Sequence, residues 1–106
     1  MNYKKDIKEI SDIIDQLITL LISVDEDEWL VVLKSFRNDC EFVENEQDAN
    51  RIRREILHIY GGMGSFSDFD LGSFDESGYF IEHKQGNKLS SLKTKLFDTI
   101  LNQLEK

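Results

Sequence analysis

The sequence predicts a mainly α, compact four-helix domain with a glycine- and aromatic-rich loop or short β-hairpin between helices three and four. Three observations carry that reading: apolar residues recur at steps of three and four in four separate segments, proline is absent, and all six glycines fall between positions 61 and 86. With 106 residues, 40% hydrophobic and 32% charged, residues 1–106 make one domain that needs no disulfide or structural metal to stand.

Ile7, Ile10, Ile14, Leu17 and Leu21 draw an apolar stripe down a first helix over residues 3–22. Ser23 or Asp25 is expected to cap the second, each with a glutamate three residues on, and Asp25, Glu26, Asp27 and Glu28 suit the positive end of its dipole. Trp29, Leu33 and Phe36 form the buried face of that helix, with Val32 and Cys40 alongside, and the polar stretch 38–45 ends it. A third helix starts at Asn45, carries Glu46 and Asp48 in its first turn, buries Ala49, Ile52, Ile56 and Ile59, and stops at Gly61 and Gly62. The following segment holds Phe66, Phe69, Phe74, Tyr79 and Phe80, too many aromatics for a disordered linker, so it should fold back onto the helices. Within it, residues 68–71 and 79–83 are expected to pair as a hairpin. The last helix runs from about Ser90 to Leu104 on Leu92, Leu96, Ile100 and Leu104.

Charge excludes several classes of function. The formal net charge is −8, which argues against direct nucleic-acid binding and against an anionic membrane surface. Residues 1–50 hold 13 acidic and 5 basic side chains, whereas residues 51–106 hold 8 of each, so the whole excess lies in the first half. The longest apolar run, Leu17 to Val24, is short of a membrane span, and Lys4, Lys5, Asp6, Lys8 and Glu9 interrupt any secretory signal. The expectation is a cytoplasmic protein.

Motifs for chemistry are weak. The GGMGS run at 61–65 follows a helix and lacks a lysine, opposite to a phosphate-binding loop, and reads as a cap and turn. Asp68 and Asp70 match the first two ligands of a calcium loop, but Ser73 and Tyr79 stand where that loop needs Gly and Glu. Two histidines, His58 and His83, and one cysteine, Cys40, do not supply a zinc set, and Cys40 reads as a buried structural thiol. No catalytic residue, metal or cofactor is expected. Between Asp25 and Asp48, by contrast, there are nine acidic residues and two basic ones, Lys34 and Arg37. Such a surface steers and docks a basic protein, with Trp29, Phe42 and the loop aromatics as candidate anchors.

The segment IYGGMGSFSDFDL, residues 59–71, resembles the GGMGSFxDL signature of a family of small bacterial domains without assigned enzymatic function. With the helical layout around it the resemblance covers about two thirds of the chain; Phe69 and Asp70 stand where the family pattern has an aliphatic run. Gly61, Gly62, Met63, Gly64, Ser65, Phe66 and Asp68 occupy signature positions. Such families resemble, in size and acidity, the immunity proteins of polymorphic toxin and contact-dependent growth inhibition systems. The resemblance implies a non-enzymatic immunity protein, a monomer that forms a one-to-one complex with a cognate basic toxin domain. The expected partner-binding residues are Asp25, Glu26, Glu28, Asp39, Glu41, Glu44, Glu46 and Asp48, with Phe66, Asp68, Asp70, Asp75 and Glu76 from the loop. The alternatives are a small enzyme or enzyme subunit using His and carboxylates, and an interaction module unrelated to toxins.

Overall fold

The computed structural model describes residues 3–61, 64–74, 76–82 and 84–105. The described chain is mainly α: α1 (Tyr3–Ser23), α2 (Glu28–Glu41), α3 (Glu46–His58) and α4 (Gly86–Leu104), with a two-stranded hairpin, β1 (Gly72–Phe74) and β2 (Phe80–Glu82), between α3 and α4. α1 is the central element and packs against both α2 and α4, while α3 closes over the three of them. Its burial shows this position. Ile7, Ile10, Ile14, Leu17 and Leu21 are buried as the spacing requires, and Ile13 and Leu20 are buried with them, so the apolar stripe is wide enough for two neighbours.

The joint between α1 and α2 differs from the sequence expectation. Neither Ser23 nor Asp25 caps α2: the Ser23 hydroxyl donates back to the Leu20 carbonyl at 2.6 Å, and the N-cap is Asp27. Asp25 instead ends α1. It takes the left-handed conformation, φ 58°, while its N–H donates to the Ile22 carbonyl and the Glu26 N–H to the Leu21 carbonyl, the paired bonds of a Schellman motif. Aspartate tolerates this conformation better than bulkier side chains do. The first free amide of α2, that of Glu28, is taken by the Glu26 carboxylate at 2.9 Å.

α3 begins as expected, with the Asn45 side chain accepting from the Asp48 N–H at 2.8 Å. Its end comes earlier than the glycines: the helix stops at His58 and Ile59, Tyr60 and Gly61 make tighter three-residue-back bonds. Gly61 has no left-handed role; that conformation falls to Gly64, φ 74°, and Gly62 lies outside the described residues. The hairpin is also displaced. Residues 68–71 do not pair; the register is Gly72 with Glu82, Ser73 with Ile81 and Phe74 with Phe80. The reason is local, because Asp68 and Phe69 spend their N–H groups in turns onto Ser65 and Phe66. The two strands pair antiparallel with each other. α4 starts at Gly86, a turn before Ser90, and buries Leu89 as well as Leu92, Leu96 and Ile100.

One polar cluster lies inside this apolar frame. Arg53 of α3 is 1% exposed, and its guanidinium donates to Gln103 Oε1 at 2.9 Å, Glu46 Oε1 at 2.9 Å, Asn50 Oδ1 at 2.7 Å and Asp6 Oδ2 at 3.2 Å. The Gln103 amide then donates to the Asp6 carbonyl at 3.0 Å. Side chains from α1, α3 and α4 thus meet on one cation, and the planar fork of arginine is what allows several acceptors to share it.

Candidate interaction surface

The loop after α3 is built on aromatic rings and a lysine. Phe66 is fully buried, with Trp29 at 5.0 Å, Tyr60 at 5.4 Å and Phe69 at 6.2 Å between ring centroids. Tyr60 reaches on to Phe97 at 5.1 Å and donates its hydroxyl to the Lys93 carbonyl at 2.8 Å, so the cluster joins α2, the loop and α4. Beneath it, the Lys93 ammonium donates to the carbonyls of Phe66 (3.2 Å), Ser67 (3.3 Å) and Phe69. Its three donors meet three carbonyls of the loop, of which that of Phe66 also accepts the Phe69 N–H. Burial holds its pKa below the ordinary value, against the opposing pull of Asp70 and Asp68. Burial likewise raises the Tyr60 phenol.

Backbone and side chains from Gly64 to Asp68 hold this loop in place. The Phe66 N–H donates to the Ile59 carbonyl at 2.8 Å, Ser65 and Ser67 both donate to the Tyr60 carbonyl, and Asp68 accepts the Gly64 N–H at 3.1 Å. Met63 lies outside the described residues. Phe66, expected at the interface, has no exposed surface to offer and acts as the loop's anchor instead. Asp70 and Glu76 are exposed, and Asp75 and His83 lie outside the described residues. Among the described residues no three His, Cys, Asp or Glu side chains converge as metal ligands, and no helix is long and apolar enough to cross a membrane.

The acidic residues around α2 divide by what they do. Glu46 holds Arg53, Asp48 accepts the Glu44 N–H at 3.2 Å, and Glu41 shares Arg37 with Asp15 of α1. Glu26 serves the start of α2, as described above. The side chains of Asp25, Asp27, Glu28, Asp39 and Glu44 bond to no other described residue, and all but Asp39 are exposed. These free carboxylates sit at the two ends of α2. Of the candidate anchors, Trp29 is half-buried against Phe66 and Phe69, whereas Phe42 is 70% exposed.

Two cations escaped the sequence reading. Arg53 and Lys93 sit on the apolar faces of their helices, four residues after Ala49 and Leu89 respectively. That phase was the available signal, since a charged residue in register with a buried stripe must either snorkel or find internal acceptors. Cys40, by contrast, is buried as expected, and burial pushes its thiol up to about 11. At pH 8 about one such thiol in a thousand is ionised, against about one in ten at the ordinary value of 9.0. Ellman's reagent should therefore label the native protein about a hundredfold more slowly than the urea-unfolded chain, and a fast native reaction would show that Cys40 is open.

Fold and surface together define a mainly helical domain with a hydrogen-bonded interior and, at both ends of α2, carboxylates without a partner among the described residues. The chain belongs to a family described as a domain of unknown function, DUF6966, which matches residues 22–76. The matched span contains α2, α3, the aromatic loop and β1. No curated protein matches the chain, and no solved structure does.

Proposed function

We propose that this domain is an immunity protein that binds a cognate basic toxin domain, a nuclease, and neutralises it by covering the cleft that holds RNA or DNA. The observation that carries the reading is the set of carboxylates at the ends of α2 that bond to no other described residue. At the start of α2 such charges gain only a small helix-dipole stabilisation, and as a set they repel one another, whereas against a basic cleft they replace phosphates and speed encounter. The resemblance of the glycine and aromatic segment to small acidic immunity-like domains supports the same assignment, as does the net charge of −8. The protein acts in the cytoplasm of the cell that makes the toxin, as a binder and not as a catalyst.

The test is calorimetry against the C-terminal domain encoded by the neighbouring upstream reading frame, at low and high salt, with a nuclease assay alongside. A tight, salt-sensitive complex without nuclease activity is expected. Asp25 and Glu26 shape the α1–α2 joint, so charge reversal is best placed at Asp27, Glu28 and Glu44. The triple reversal should slow association by about tenfold or more and flatten its salt dependence. An inhibited complex indifferent to both salt and reversal would remove the electrostatic mechanism, and an uninhibited nuclease would remove the immunity reading.

A further inference from the structure

α2 has two opposite faces. Leu33 and Cys40, seven residues apart, point into the core, and Val31, Ser35, Asn38 and the C-cap residue Phe42 follow one another at steps of four, three and four along the solvent side. Val31 is 69% exposed and Phe42 70%, although both are large apolar side chains. At about 1.5 Å per residue they lie about 16 Å apart along the axis, with two small uncharged residues between them. Asp27 and Glu28 stand beyond Val31, and Glu41 and Glu44 flank Phe42. Lys34 flanks the middle of the strip.

We infer that this outer face of α2 is a docking strip for an amphipathic helix of a basic partner, one that carries two apolar side chains about three turns apart with Lys or Arg beyond each. The inference deepens the proposed function, because it takes that function's basic partner as the occupant. Charge selects this occupant over a second copy of the chain. Both ends of the strip are acidic, so pairing α2 with another α2, parallel or antiparallel, sets carboxylate against carboxylate. A helix with basic ends meets both, while Lys34 keeps the partner's positive charge away from its centre. Val31 and Phe42 then supply the desolvated contacts that carry most of an interface's energy.

The test is a titration of the isotope-labelled protein, followed by NMR, with a synthetic helical peptide bearing two leucines eleven residues apart, Lys and Arg outside them and a neutral centre. Shifts are expected along the outer face of α2, none with a peptide in which Glu replaces Lys and Arg, and a Kd raised about tenfold by Val31→Ser with Phe42→Ser. Both positions are exposed, so the double variant keeps the fold, which its own spectrum verifies. Shifts confined to the loop around Asp68 and Asp70, an absence of shifts, equal binding by the double variant, or self-association through this face in sedimentation would each overturn the inference. Peptide binding on α2 without neutralisation of the upstream toxin domain would remove the proposed function alone. A toxin complex unaffected by the double variant would remove the docking strip alone.

Discussion

Arg53→Ala is expected to lower the stability of the domain by about 3–5 kcal/mol, the cost of breaking a buried charge pair from one side. The variant removes donors to Asp6, Glu46, Asn50 and Gln103 at once and leaves a cavity where a side chain 1% exposed had been. Asp6 and Glu46 retain side-chain exposures of 20% and 36%, so water recovers part of the loss and the lower end of the range is the better expectation. Against the about 5–15 kcal/mol of a typical domain that is a large share, and the melting temperature should fall by about 12 °C or more. Urea unfolding followed by circular dichroism reads the change directly. A loss below about 1 kcal/mol, the level of an exposed ion pair, would mean that the cluster does not tie α1, α3 and α4 together.

Phe66→Ala should cost about 3–5 kcal/mol, the usual range for truncating a fully buried aromatic. Phe66 is 0% exposed and touches Trp29, Tyr60 and Phe69, while Lys93 lies 5.8 Å from its ring and bonds its carbonyl. The expected effect is largest in the loop, because the substitution removes the ring on which the turns from Ser65 to Phe69 are folded. The single tryptophan reports it: Trp29 emission should shift to the red in the native variant as its Phe66 contact gives way to water. An unchanged emission maximum with native stability would show that the loop is held by Lys93 and its hydrogen bonds alone.

The two predictions fall on residues of unequal legibility. Phe66 stood inside a segment whose glycines and aromatics announced an ordered loop, and only its role was misread, as a contact surface instead of an anchor. Arg53 and Lys93 were legible only as phase: each occupies an apolar stripe, but periodicity does not say whether a long cation there reaches solvent or internal acceptors. The acceptors come from far along the chain, Asp6 and Gln103 for Arg53 and the 66–69 carbonyls for Lys93. The acidic residues show the same division. Nine lie between Asp25 and Asp48, but which of them stay free depends on where Arg37, Arg53 and the α2 and α3 amides fall.

By itself the sequence determined the four helices, most of their buried stripes, the Asn45 cap and the burial of Cys40, because these follow from side-chain period and local capping within a few residues. Trp29 and Phe36 of α2 and Ile59 after α3, expected in those stripes, are only half-buried. Tertiary structure decided that α1 lies between α2 and α4, that Asp25 ends a helix instead of starting one, and that the hairpin begins at Gly72. It also decided that Val31 and Phe42 are left in solvent on the same side of α2. A helix's own sequence fixes which residues share a face, but only its neighbours determine which face is covered.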